Sequence, residues 1–450
     1  MKDKISIAGP ELRQVLKGPD PENRIRELFR ELHPFEIFSL IEGMDYDEIA
    51  TIIQYIRFPK AAELFEYFDE EEAQQIFHHF DRKNMIRMIE EMSSDDRVDL
   101  LKILDESLVQ SLMPLIAQAE RNDIMNLIEY EEETAGAIMT SEYASLKGNM
   151  TAREGLDQLK RIAPDKETIY TVYVTDENRK LIGVLSLKKL IVSPDKVMIS
   201  DIMDRDFVSV HINDDQEFVS KVIADYDLLS VPVVDENMKL FGIVTVDDIV
   251  DIVIEEDTED FLRHGSVTGE ENYLSVSPFR LAKQRIIWLL LLVLVGFVSG
   301  YVMELKQHIL ESVIALAFFL PLINGSAGNA GTQSSTIIIR GLATGELEMG
   351  NILKILVKEI ATGIIIGILL GLAAGLRAII MNQDPSLAIT VGLSMVIVVL
   401  TANILGAVFP ILFKKMKLDP ALMSAPFIAS VIDILSIFIY LTLAGMIFNI

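Results

Sequence analysis

Asp433 is a carboxylate set among apolar residues. It lies eight residues into the run APFIASVIDILSIFIYLTLA, which starts at Ala425 and holds no basic residue. A run this long and apolar can cross a bilayer, where an ionised carboxylate near the centre costs roughly 2.5–3.5 kcal/mol on insertion scales. Such a group is protonated, paired with a cation from another helix, or a site for a transported cation. No lysine or arginine lies deep within the other apolar segments, which favours the cation site; a buried hydrogen bond is the structural alternative. A companion stretch, PLINGSAGNAGTQSST (Pro321–Thr336), sets a proline and three glycines into a second apolar run. Broken backbone at membrane depth is expected there, tolerated only inside protein or beside water. Asn324, Asn329, Thr332 and Gln333 add uncharged oxygens. One carboxylate with amide and carbonyl oxygens suits a divalent ion that keeps much of its water, as Mg²⁺ does; helix-packing polarity is the alternative. Thr401 and Asn403 in a third run either join this lining or pack.

A second acidic constellation runs DDIVDIVIEEDTED from Asp247 to Asp260. Asp248, Asp251 and Glu255 recur at spacings of three and four, which gathers them along one side of a helix. They repel one another unless a divalent cation bridges them to another acidic surface; a solvated helix face is the alternative. The chain has no cysteine and only 6 histidines, so thiolate metal chemistry is excluded and hard cations with oxygen ligands remain. No nucleophile–base pair, phosphate loop or HExxH motif is present, which argues against an enzyme.

Five apolar segments position Asp433: Ile286–Met303, Ser312–Ile339, Ile352–Met381, Leu387–Phe413 and Ala425–Ile450. Arg280, Lys283 and Arg285 precede the first, Arg340, Lys354 and Lys358 flank the second loop, and Lys414, Lys415 and Lys417 fill the fourth. This bias predicts an N-terminus inside and a C-terminus outside. Gly363, Gly367, Gly371 and Gly375 put a stripe on one face of the third helix that reads as close packing, and Gly296 and Gly300 in the first read the same way. Of 67 acidic and 40 basic residues only 8 and 11 fall at or after Arg280, so the earlier part carries a net charge of −30. Such a block repels nucleic acid and anionic lipid and attracts cations. The first residues lack the apolar core of a signal peptide, so this block is expected in the cytoplasm.

Residues 1–130 read as short helices, with apolar residues at spacings of three and four in DEIATIIQYI, AQQIFHHF, NMIRMIEEM and VDLLKIL. An acidic, solenoid-like helical domain follows from this. Farther on there is a duplication: YVTDENRKLIGVLSLKKL (Tyr173–Leu190) matches PVVDENMKLFGIVTVDDI (Pro232–Ile249). Each copy reads as strand, helix, strand, DEN turn, strand and helix, and the pair resembles tandem α/β CBS domains over 136–199 and 200–255, which commonly dimerise. Gly242, Thr245 and Asp248 match the G-x-x-[ST]-x-x-D pattern by which nucleotide-binding CBS domains hold a ribose, whereas the first copy has Lys189 at the acidic place. A motif this short also arises by chance.

In its order of parts the chain resembles the MgtE family of magnesium channels and transporters: a helical N domain, two CBS domains, a connecting or plug helix with its linker at 248–275, and a five-helix transmembrane pore domain at 280–450. The resemblance rests on EETAGAIMT (132–140), EEDTEDFLRHGSV (255–267), PLINGSAGNAGTQSSTIIIRGLATGE (321–346) and LDPALMSAPFIASVID (418–433). It implies a homodimer in the cell membrane, with Asp433 as the pore carboxylate near the two-fold axis. It also implies regulatory Mg²⁺ between cytoplasmic domains and plug helix, with Asp248, Asp251, Glu259 and Asp260 as matching positions and Glu217, Asp227, Asp95, Asp96 and Asp419 as further ones. The function expected is Mg²⁺ uptake gated by cytoplasmic Mg²⁺, with ATP as a second regulator. A proton- or ion-coupled carrier of divalent cations, or a CBS-regulated anion transporter, is the competing expectation.

Overall fold

The computed structural model describes residues 9–265, 267, 276–347, 349–382, 384–418 and 425–450. The chain divides into two compact units, Met1–Ile254 and Glu255–Ile450.

The first unit opens with ten short helices: α1 (Gly9–Leu16), α2 (Pro21–Phe29), α3 (Pro34–Ile41), α4 (Tyr46–Tyr55), α5 (Phe58–Phe65), α6 (Glu70–His78), α7 (Arg82–Glu91), α8 (Ser94–Ile103), α9 (Glu106–Leu112) and α10 (Gln118–Leu127). Part of the acidity of this region is capping chemistry. Asp69 accepts from the Glu72 amide at 2.8 Å and Asp81 from that of Asn84 at 2.7 Å, each at a helix start; such caps stabilise by about 1 kcal/mol. Most of these amphipathic helices then pack on a second neighbour, α2 on α4, α3 on α5, α4 on α6, α5 on α7, α6 on α8 and α8 on α10. The result is the solenoid expected of short helices that cannot bury an apolar face alone. Ile37, Ile52, Ile53, Leu64, Ile76 and Phe77 are fully buried along its axis, each contributing roughly 1.5–3 kcal/mol. The buried Arg97 donates to the Ile89 and Met92 carbonyls at 2.6 and 2.7 Å, closing the end of α7.

The duplicated segment folds as two similar three-stranded sheets. β1 (Tyr143–Lys147) runs parallel to β2 (Thr168–Thr175), which is antiparallel to β3 (Leu181–Ser186); α11 (Ala152–Ile162) links the first pair and α12 (Leu187–Val192) follows. After the short α13 (Ile199–Ile202) the pattern recurs with β4 (Val210–His211), α14 (Gln216–Asp225), β5 (Ser230–Val234) and β6 (Leu240–Thr245). In the two DEN turns, Asp176 and Asp235 each accept two main-chain N–H groups at 2.8–2.9 Å, and Arg179 and Met238 both take φ 63°. Gly242 carries no side chain because a Cβ there would meet the Thr140 carbonyl at 2.7 Å. Ser94 ties the helical stack to this region, sharing a hydrogen bond with the Thr140 hydroxyl at 3.0 Å and accepting from the Ser141 amide at 2.8 Å. One continuous helix, α15 (Val246–His264), begins directly after β6.

The second unit contains five helices of spanning length and apolarity: α16 (Pro278–Leu305), α18 (Leu320–Ala343) with the preceding 3-10 turn Ile314–Phe319, α19 (Ile352–Asn382), α20 (Pro385–Lys415) and α21 (Ala425–Phe448). A short helix, α17 (Gln307–Ser312), precedes that turn. The second span departs from expectation: α18 runs unbroken through the glycine-rich stretch, and the irregular backbone comes before it. Pro321 occupies the first turn of α18, where its missing N–H leaves nothing unsatisfied. The irregular turn is secured because the buried Tyr440 hydroxyl of α21 donates to the Leu316 carbonyl at 3.0 Å. In α19 the glycine stripe does pack: a Cβ on Gly367 would meet the Val396 carbonyl at 2.9 Å, and one on Gly371 that of Gly392 at 2.6 Å, both on α20. Gly296 and Gly300 differ from the sequence reading. Neither has an atom within 4 Å of a built Cβ, and α16, which meets α21, buries none of its residues within this chain.

Gly242→Ala should lower the stability of the first unit by about 1–3 kcal/mol, since β6 must move off the Thr140 carbonyl. Gly350→Ala, with nothing within 4 Å of a built Cβ, is the neutral control. Thermal unfolding of the two full-length variants measures the difference.

Candidate ion path and acidic regulatory surfaces

Helices α18 and α21 bring Asp433 beside the polar segment. A Cβ on Gly328 would lie 4.0 Å from Asp433 Oδ1 and 3.6 Å from the Ala429 methyl, so this glycine keeps open the space next to the half-buried carboxylate. At the next turn Gly331 lets Ile432 close against α18. Among the described residues no lysine or arginine pairs with Asp433. The Asn324 Oδ1 is buried without a hydrogen-bond partner. Asn329 and Gln333 are exposed and Thr332 is half-buried; with Thr336 they recur at three and four residues and form one polar stripe along α18. Hydrocarbon cannot satisfy such amides, and the chain by itself leaves them uncovered.

The end of α15 reaches this stripe. His264 Nε2 lies 3.3 Å from Thr336 Oγ1, and the Thr336 hydroxyl donates to the Thr332 carbonyl at 2.9 Å. Burial holds the His264 pKa below the ordinary value. Asn403, read as a candidate for the lining, turns elsewhere: it is buried and packs over Gly363 of α19. Thr401 donates to the Ile397 carbonyl of its own helix at 2.8 Å.

The carboxylates of the first unit gather at the start of α8. Ser93 caps that helix by accepting from the Asp96 amide, and its hydroxyl donates to the Asp96 carboxylate. Asp95 Oδ1 is buried without a hydrogen-bond partner. Glu66, at the end of α5, shares a hydrogen bond with Asp96; desolvation first, and the facing Asp96 second, push it up to about 9. Burial, then Asp96 and Asp248, hold Asp95 well above the ordinary range. Glu167, just before β2, is pushed up to about 7 by desolvation and then by Asp248. Asp248 is raised to about 6 by burial against the opposing Thr245 hydrogen bond, with Asp247 and Asp96 adding to the rise. The leading charged neighbours of all four are acidic. Glu66, Glu70, Asp96 and Asp99 line one cleft of ≈ 120 Å³ together with Phe65 and Met92.

Of the residues singled out in the sequence, Asp95, Asp96 and Asp248 therefore come together. Exposed Asp251 lies near Tyr67, whose phenol burial, Glu66 and Asp251 push up in that order. Glu217 starts α14, and Asp227 follows its end at φ 51°; both are exposed. Glu255, Glu259 and Asp260 lie along the second half of α15, where Glu259 pairs with Arg263. Asp419 lies outside the described residues. Glu66 and Glu167 escaped the sequence reading, since only long-range packing joins them to Asp96 and Asp248. Among the described residues no three aspartate, glutamate or histidine groups stand close enough to hold a metal ion. In the nucleotide motif the Thr245 hydroxyl donates to the Asp248 carboxylate, while in the first copy Ser186 accepts from the Lys189 amide at 3.2 Å.

Three family profiles cover the chain: MgtE, described as a divalent cation transporter, at 320–443; the MgtE intracellular N domain at 32–133; and CBS domains at 135–194 and 199–255. The magnesium transporter MgtE of Thermus thermophilus is 39% identical over 356 residues, 78% of this chain and 79% of its own. That of Enterococcus faecalis is 38% identical over 327 residues, 73% and 72% of the two chains. A crystal structure of the cytosolic domain of the Mg²⁺ channel MgtE in complex with ATP superposes with a TM-score of 0.52 at 36% identity, over 54% of this chain and 99% of that one. With its full order of parts matched and identity near two-fifths over most of its length, the chain belongs to the MgtE family.

Proposed function

We propose that this protein admits Mg²⁺ through the cell membrane down its electrochemical gradient, as a homodimer that cytosolic Mg²⁺ closes. The observation that carries the ion path is Asp433, unpaired among the described residues, beside the gap left by Gly328. The relatives named magnesium transporters support the choice of ion. One carboxylate per chain with the amides of Asn324, Asn329 and Gln333 and the hydroxyl of Thr332 suits Mg²⁺, which sheds its water reluctantly and is held through one or two carboxylates. The uncovered polar stripe on α18 supports a dimer, because a second copy is the cover that a membrane leaves for exposed amides. The basic residues before α16 and after α20 support an N-terminus inside and a C-terminus outside.

Regulation follows from repulsion in the cytosolic cluster. Without divalent ions Glu66, Asp95, Asp96, Glu167 and Asp248 disfavour a closed arrangement. Mg²⁺ bridging them, together with Asp251, Glu255, Glu259, Asp260, Glu217, Asp227 and Asp419, favours it, and several weak ions acting on one state shift the equilibrium together. Adenine nucleotide is a second regulator in this reading: a related cytosolic domain holds ATP, and Gly242, Thr245 and Asp248 form the matching motif. Asp248 then serves both ligands, so nucleotide and Mg²⁺ are linked.

Influx of Mg²⁺ into proteoliposomes tests the pore. Asp433→Ala should lower it by on the order of tenfold or more, and wild-type influx should persist without a pH gradient; influx indifferent to Asp433 overturns the assignment. Asp248→Ala combined with Asp251→Ala should leave influx intact and shift its inhibition to higher cytosolic-side Mg²⁺.

The raised carboxyls predict a pH dependence. A folded pKa above the unfolded one contributes stability that is complete at low pH and lost as pH rises through the folded values, here about 6 for Asp248, about 7 for Glu167 and about 9 for Glu66. In chelator the cytosolic unit should therefore melt lower at about pH 9 than at about pH 5, and Mg²⁺ should narrow that gap. Glu66→Gln with Asp95→Asn should flatten the slope in calorimetry.

A further inference from the structure

The start of α19 and the end of α20 lie together at one end of the membrane unit. Ile355, in the first turn of α19, shares an apolar cluster with Ala407 and Ile411 in the last turns of α20. The same end carries four exposed cations: Lys354 and Lys358 on α19, and Lys415 and Lys417 where α20 stops. None of the four makes an ion pair among the described residues. Lys414 is engaged otherwise, since its Nζ donates to the Leu342 carbonyl of α18 at 2.7 Å. Among the described carboxylates of α18, α19 and the turn between them, Glu359 faces the bundle and accepts from Ser334 at 2.8 Å. The other, Glu346, is exposed in that turn.

Helix α19 presents two different surfaces. Ile355 and Glu359 are buried, and Gly363, Gly367 and Gly371 continue that side against α20. The outward side runs through Leu353, Val357, Ile365, Leu369, Leu372 and Leu376, each more than half exposed. Lys354 and Lys358 follow Leu353 and Val357 by one residue, about 100° around the helix, so they flank the outward side in its first two turns. Helix–helix interfaces in membranes favour small residues, and the glycines of α19 already serve α20. An outward side of bulky leucine, isoleucine and valine is instead suited to acyl chains. In the proposed dimer the second copy covers the exposed amides of α18, which hydrocarbon cannot. Lysine stems lie along hydrocarbon and lift their ammonium groups to the headgroup level. Two such groups one turn apart, with Cβ atoms about 5–6 Å from each other, can reach one phosphate together. A zwitterionic headgroup brings a cation of its own, which these lysines repel; a net anionic headgroup does not.

We infer that Lys354 and Lys358, with Lys415 and Lys417 at the same end, hold the headgroup of an anionic phospholipid whose chains lie along the outward side of α19. The partner is a membrane lipid and not a free anion, because the apolar side continues directly from the two lysines. The bound lipid braces the first turns of α19, from which Glu359 reaches α18. This site belongs to the helices and not to the ion they pass, so stability is its readout in place of influx.

The test is thermal unfolding of the full-length protein in neutral-detergent micelles, at constant ionic strength and in chelator, with phosphatidylglycerol replacing phosphatidylcholine. The sole tryptophan, Trp288, lies on α16 and reports on the membrane unit. Wild type, Asp433→Asn and Lys354→Arg with Lys358→Arg should gain a saturable rise in midpoint. Lys354→Gln with Lys358→Gln should need roughly 25-fold more phosphatidylglycerol for half the rise, about fivefold for each lysine lost. Lys283→Gln, at the start of α16, should leave the half-point in place. Identical melting in the two lipids overturns the site, as does a half-point that the glutamine pair does not move. A shift of equal size in Lys283→Gln shows only diffuse surface charge and also overturns it. An equal gain from soluble glycerol phosphate shows a free-anion site and overturns the lipid. Should the glutamine pair melt too low to compare, native mass spectrometry counts the phosphatidylglycerol retained. Equal retention by wild type and the pair overturns the assignment.

Discussion

Negative charge without a fixed positive partner, held where water is scarce, governs both units of this protein. In water two like charges at contact distance interact weakly, but the energy grows severalfold as the effective dielectric falls. Around Glu66, Asp95, Asp96, Glu167 and Asp248 this makes the protonated or ion-bridged state the comfortable one, as their raised pKa values record. In the membrane unit the same rule leaves Asp433 to be satisfied by whatever the fold admits. The surrounding structure reads as a set of devices for holding carboxylates in place while leaving the cation out of the covalent design.

Backbone proximity supplies the rigidity this requires. Gly367 and Gly371 bring α19 against α20, and Gly331 and Gly406 bring α18 against both α21 and α20. Helices this close cannot be displaced by a side-chain rearrangement, so the carboxylates they carry stay put. Where the chain departs from helix, before α18, a single buried hydroxyl from Tyr440 takes up a freed carbonyl. The polar cost of the irregular turn is thereby met inside the bundle.

Much of this was legible in the sequence, and the exceptions share a cause. Hydropathy marked the five spans, internal similarity marked the two CBS copies with their DEN turns, and an unpaired carboxylate in an apolar run marked Asp433. Each of those signals is local. Glu66 and Asp96 are 30 residues apart and Ser334 and Asn403 are 69 apart, and no periodicity links such partners. The glycines show the limit most directly. The spacing of Gly296 and Gly300 equals that of Gly363 and Gly367, yet only the second pair meets a helix within the chain. Spacing reveals a face; what covers it is decided by the rest of the fold. Proline misled for a related reason, since Pro321 is a breaker in mid-helix but a natural opening residue in the first turn.

The stacking of the N-terminal helices has a mechanical consequence. A column in which each helix leans on its near neighbours deforms like a coil spring, because small rotations at successive joints add up while no single joint is strained far. Its stiffness is set by the apolar contacts between α2 and α10, and the acidic groups on α5 and α8 ride on it. On the proposed gating, the ion concentration at which such a spring closes depends on its elasticity as much as on its charge. Substitutions in the buried isoleucines, far from any carboxylate, would retune the response by softening the coil.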